Sequence, residues 1–205
     1  MKRTSSVLIA LALMLLSSPG FAAVDFFIDA ELPSSNSASF NVSKVFVGPP
    51  LNFIPTPTFN LDFGVLSLDD VNGIFVTNPA FYWVIDVGSN GAGMPDVGVS
   101  YANTATPPTA THNLGAHATV NFAEIVTNPG TPPTQTTNDI TTVALNNVGS
   151  LPGGGINETQ FSDGFLRISV GIYTGPAPIT GASPFTALDA PGVYSGTLTL
   201  TATFD

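Results

Sequence analysis

The chain has 205 residues, 43% of them hydrophobic and only 9% charged, with no cysteine and a formal net charge of −10. So acidic a surface repels phosphate backbones and has no basic patch with which to displace their counterions, which excludes nucleic-acid binding. With no cysteine there is no disulfide staple, and a lipoprotein-type leader, which needs a cysteine at its cut, is excluded as well.

The first elements in chain order form an export signal. Lys2 and Arg3 give a basic start, residues 7–16 an apolar run, and Pro19-Gly20-Phe21-Ala22-Ala23 the small residues of a cleavage site, with the cut after Ala22 or Ala23. The run is shorter than the roughly 20 residues of a membrane span, so the mature chain is expected to carry no span and to be exported, to the cell surface or medium of a bacterial-type cell. About 180 residues then remain, a length that suits one domain. Lys44 and Arg167 are the only cations left among them, against 14 acidic residues. Hydroxyl- and amide-rich composition with so little charge suits a sheet protein held in an assembly.

Period-two alternation dominates from residue 24 onward, and no window long enough for a stable helix shows three-four spacing. Val24, Phe26, Ile28, Ala30 and Leu32 form one apolar face against Asp25, Phe27, Asp29 and Glu31, until Pro33-Ser34-Ser35 stops the segment. Further strands are predicted over 40–47, 59–68, 73–87, 96–101, 114–126, 139–148 and 164–173, with turns at Asn72-Gly73, Asn90-Gly91, Asn128-Pro129-Gly130 and Gly153-Gly154-Gly155. Within them, residues 81–87 are apolar on both sides, as in a strand covered on two faces. The last segment is the cleanest: Leu198, Leu200, Ala202 and Phe204 alternate with Thr197, Thr199, Thr201 and Thr203, which fixes its register. The Thr-Pro stretches 104–109 and 131–137 read as stiff polar loops, and the proline-rich piece 48–57 as an extended connection. Many short strands without intervening helices predict an all-β, antiparallel sandwich of two sheets, a closed barrel being the alternative.

Chemistry-bearing motifs are sparse. His112 and His117, the only histidines, fall five apart, on opposite faces if the strand is continuous, and read as solvent-exposed polar residues. There is no Gly-x-Ser-x-Gly elbow, and 14 scattered acids give carboxylate pairs by chance. Asp69-Asp70-Val71-Asn72-Gly73 has the flavour of a calcium loop, but Leu68 stands where the first ligand belongs and no glutamate closes it, so a hairpin turn is expected. The triplets Asn41-Val42-Ser43 and Asn157-Glu158-Thr159 match the glycosylation pattern without saying anything specific in such a chain. No enzyme, no metal and no cofactor is predicted.

Leu61-Asp62-Phe63-Gly64, the run 82–90 beginning Tyr82-Trp83, the strand 166–173 and the closing 192–200 follow one another in an order that resembles spore coat protein U-like and archaic chaperone-usher pilin domains. The resemblance implies an incomplete immunoglobulin-like sandwich completed by the N-terminal extension of the next subunit. It divides the chain into a leader (1–23), an extension and linker (24–37) and a sandwich (38–205). Val24, Phe26, Ile28, Ala30 and Leu32 become the candidate donor strand, and Leu198, Leu200, Ala202 and Phe204 the candidate acceptor groove. Self-association into a homopolymer follows, with a periplasmic chaperone and an outer-membrane usher as partners. The chain departs from the family in having no cysteine, where members commonly hold a disulfide, and in its Thr-Pro insertions. Sequence pattern does not say whether 24–32 pairs within its own chain or with another. The alternative function is a monomeric secreted binding module for carbohydrate or a surface partner.

Overall fold

A computed structural model describes residues 24–31, 40–47, 61–78, 80, 82–89, 94–103, 111–125, 137–161, 164–175 and 177–203. The predicted leader, the proline-rich piece 48–57, the Thr-Pro stretches apart from Thr137, and the candidate residues Leu32 and Phe204 lie outside the described residues. The strands are β1 (Val24–Glu31), β2 (Phe40–Val47), β3 (Ser67–Asp69), β4 (Ile74–Val76), β5 (Tyr82–Ser89), β6 (Asp96–Ala102), β7 (Thr111–Asn113), β8 (Ala118–Ile125), β9 (Thr137–Ala144), β10 (Gly155–Ile156), β11 (Phe165–Ile172), β12 (Phe185–Thr186), β13 (Val193–Ser195) and β14 (Thr197–Thr203). Among the described residues the only helical pieces are 3₁₀ turns at Leu145–Ser150, Pro152–Gly154 and Glu158–Gln160. No helix there is long and apolar enough to cross a membrane. The protein is all-β, as its alternation predicts.

The largest sheet runs β2-β1-β5-β11-β8-β9, and every ladder in it is antiparallel. A second sheet, β10-β6-β14, is antiparallel as well, and two small sheets, β12-β4-β3 and β13-β7, complete the set. Among the described residues only the β13-β7 pairing is parallel. Trp83, Ile85 and Val87 of β5 stand in register with Val170, Ile168 and Leu166 of β11, and Ile168 and Val170 with Phe122 and Val120 of β8. These side chains share one buried core with Val97, Val99 and Ile156 of the second sheet. Leu198, Leu200 and Ala202 of β14 pack against it while remaining half-exposed. Leu145, Val148 and Leu151, carried by the 3₁₀ segment, and Phe161 add to the same core.

Part of the opposite face of the large sheet, on β5, β11 and β8, is buried too. Val84, Asp86, Ala123, Ile125 and Arg167 are each less than 5% exposed, which explains why residues 81–87 alternate so little. Arg167 faces Asp86 across the β5-β11 ladder, and its Nε and Nη2 donate to the two carboxylate oxygens at 2.7 and 2.8 Å. Leaving either charge unpaired in such a place would be costly, so the two belong together.

Several predicted boundaries are corrected. Within its described part, from residue 61, the strand expected over 59–68 is reduced to Ser67–Asp69, because Gly64 N–H donates to Asp62 Oδ1 and Gly64 takes a φ of +68°, a turn that ends any ladder. The strand expected over 73–87 divides into β4, ending at Val76, and β5, starting at Tyr82. The strand expected over 114–126 begins only at Ala118, after a turn in which His117 N–H donates to Leu114 O at 2.8 Å. The one expected over 139–148 ends at Ala144, where a 3₁₀ turn swings Leu145 and Val148 into the core.

Candidate functional site: the C-terminal strand and its anchor

The two candidate segments fall in different sheets. Residues 24–31 form β1, laddered on one side to β5 along its whole length and on the other to β2. Phe26, Ile28 and Ala30 hold the register positions opposite Val87, Ile85 and Trp83. In this single chain, residues 24–31 of the candidate donor are laddered to both β2 and β5. Leu198, Leu200 and Ala202 sit in β14, paired to Tyr101, Val99 and Val97 of β6. The structure does not bring the two sets together.

β14 is held at its start by a knot of side chains. Gly196 links β13 to β14 directly beneath the ring of Tyr101, so close that a Cβ there would overlap the phenol. Tyr101 Oη donates to Asn113 Oδ1 at 2.6 Å, and the same Asn113 oxygen accepts Gly115 N–H at 2.9 Å. Burial pushes the Tyr101 phenol above its ordinary 10.0. Leu114 N–H donates to Ser195 O, continuing the β13-β7 pairing toward the turn.

Beside this knot lies an aromatic cluster centred on Tyr194. His112 approaches its ring at 4.8 Å between centroids, His117 meets it edge-on at 5.5 Å, and Phe185 meets it edge-on at 4.7 Å. His117 stacks on Phe185 at 4.0 Å with planes 14° apart. His117 Nδ1 lies 3.0 Å from Ser183 O, and since a carbonyl only accepts, Nδ1 carries the hydrogen. Its Nε2 faces Asp189 Oδ1 at 3.6 Å. Asp189 Oδ2 is engaged by the N–H and hydroxyl of Thr186. Tyr194 Oη donates to Ala190 O at 2.9 Å, and its phenol is raised above 10.0, first by burial and then by the negative charge of Asp189. The expectation for the histidines is thus corrected. Both are half-buried and share one tyrosine, because the 114–117 turn breaks the strand that would have put them on opposite faces. The cluster clamps the turn before β8 to the loop leading into β13 and β14. Among the described residues no group of three or more metal-ligating side chains forms.

The Asp69 loop is a hairpin turn between β3 and β4. Asp69 Oδ1 accepts Val71 N–H, Oδ2 accepts the Asn72 amide, and Gly73 N–H closes on Asp69 O at 2.8 Å. The Asn72 side chain, and then the Val71 N–H, hold the Asp69 carboxyl below its ordinary 3.8. Asn157 is likewise occupied locally. Its Oδ1 accepts Thr159 N–H while Gln160 reaches back to its own N–H, a capping box on the Glu158–Gln160 turn.

The surface with most to offer is the outer edge of β14. It is the last strand of its sheet, and among the described residues β6 is its one ladder partner. Its seven residues carry no charge and no proline, and its register with β6 runs without a bulge. The other long edges are different: β2 carries Lys44 and β9 carries Asp139, and the ladders of both are interrupted by register shifts. Charges and irregularities of that kind are what protect sheet edges from further pairing. Comparison with protein-family profiles, curated proteins and solved structures returned no match.

Proposed function

We propose that this chain is an exported structural subunit of a surface fibre or pilus-like assembly, an immunoglobulin-like sandwich without catalytic role or cofactor whose copies join by β-strand addition. The observation that carries the reading is the outer edge of β14, which has no second ladder partner among the described residues, with Leu198, Leu200 and Ala202 half-covered beside it. An added strand supplies the missing ladder bonds and covers those side chains. The facing of a large and a small sheet across one core, with the C-terminal strand at a border, supports the sandwich part of the reading. Residues 1–23 direct export, and a periplasmic chaperone and outer-membrane usher are the partners that would guard the edge before assembly. Donation of 24–32 to a neighbour requires β1 to leave its ladders with β2 and β5, an exchange of an identical element between copies.

The cysteine-free chain makes the test direct. A disulfide between Val24→Cys and Ser89→Cys, which are register partners, pins β1 in its own sheet. Concentration-dependent polymers of the parent chain, seen by electron microscopy and lost in the pinned variant, are expected. A parent chain that stays monomeric at every concentration would falsify the fibre reading. The binding-module reading would then stand, and the observation that favours it is the two-sided pairing of β1 within its own chain.

A further inference from the structure

The sequence of β14 suggests what its edge receives. Thr197-Leu198-Thr199-Leu200-Thr201-Ala202-Thr203 reads nearly the same in both directions about Leu200. We infer that β14 pairs antiparallel with β14 of a second copy, on a twofold axis through Leu200, joining two three-stranded sheets into one of six strands. This rests on the reading of the β14 edge as the joining surface, and it names the joining strand as β14 itself instead of the 24–32 segment.

An antiparallel contact between identical chains on a twofold axis sets residue i of one against residue j of the other with i and j exchanged, so every pair occurs twice. Centred on Leu200, the contact sets Leu200 on Leu200, Thr199 on Thr201, Leu198 on Ala202 and Thr197 on Thr203. Every threonine then meets a threonine on the exposed face, and every apolar side chain meets an apolar one on the core side. A slip by a single residue would set threonine against leucine on each face, so the pattern rejects it. Charge points the same way. In a chain of formal net charge −10, most surfaces of two copies repel one another, whereas this strand brings no charge to the contact. By contrast, β2 pairing with itself would carry Lys44 into the contact and β9 would carry Asp139. Such a contact closes a dimer, and a longer polymer needs a second joint, which exchange of β1 would supply.

The test uses full-length mature chain with Thr199→Lys and Thr201→Lys together, and a companion with Thr199→Glu and Thr201→Glu. Both positions are exposed, so the isolated fold has room for either pair. In the twofold contact each introduced lysine would stand against another lysine, and each glutamate against another glutamate. Sedimentation should show a parent dimer, two monomeric variants, and a dimer restored when the variants are mixed, at low salt and neutral pH. Restoration in the mixture also shows that neither variant is misfolded. A lysine variant that still dimerises, or a mixture that stays monomeric, overturns the pairing. So does loss of the parent dimer when β1 is pinned by the Val24-Ser89 disulfide, since the edge would then be taken by 24–32. The fibre reading fails separately: dimers that never lengthen support the strand pairing and remove the fibre, while polymers that survive in both charged variants remove the pairing and keep the fibre.

Discussion

Arg167 and Asp86 meet in a buried, two-bonded ion pair on the face of the large sheet opposite the shared core. Removing Arg167 strips the buried Asp86 carboxylate of its cation and of both bonds, so Arg167→Ala is expected to destabilise the fold by about 3–5 kcal/mol in urea unfolding. Replacing both, Asp86→Leu with Arg167→Met, should recover most of that loss, because apolar side chains of similar size carry no desolvation cost. Tyr101 and Tyr194 behave differently. Their phenols are raised above 10.0 in the folded chain, so the fold favours the neutral form. Their contribution is present below the unfolded tyrosine value and is lost as pH rises through the folded one. Unfolding free energy should therefore decline on the alkaline side of pH 10, and Tyr194→Phe should flatten that decline when stability is measured against pH.

At the scale of elements, the link between β13 and β14 is the most demanding point. Gly196 passes under Tyr101 with no room for a methyl group, so Gly196→Ala should shift the ring or the strand and cost about 1–3 kcal/mol, measured by thermal or urea unfolding. Perfect alternation in 197–203 made β14 legible from the sequence, as did the two-sided apolar run of β5. The segments 61–66 and 114–117 were not legible, since both are apolar enough to read as strand and are turned aside by Asp62, Gly64 and the 114–117 hydrogen bond. The short strands β7, β10, β12 and β13 hold two or three residues each, too few for a period to register. The histidine cluster was missed for a related reason: residues 112, 117, 185 and 194 are joined by chain reversals that no local pattern encodes. Its one trace in the sequence is the closeness of the two histidines to each other, which a continuous strand would have set on opposite faces.

Among the described residues, a six-stranded and a three-stranded sheet contribute to one core, and the smaller one ends on a strand with no second ladder partner. Pairing at that border and exchange of β1 are separable events, and the charged β14 variants and the pinned β1 variant each address one of them. Addition of salt should help the parent chain associate, because screening weakens repulsion between acidic copies while leaving ladder bonds in place. Light scattering across a salt series checks this, and association that weakens with salt would instead implicate an attractive charged contact. The burial of Arg167 also bears on durability. A protease that cuts after basic residues meets two such positions beyond residue 23, Lys44 within a strand and Arg167 locked against Asp86 inside a ladder. Digestion should thus await opening of the sheet itself, which leaves the chain well suited to persist among trypsin-like enzymes.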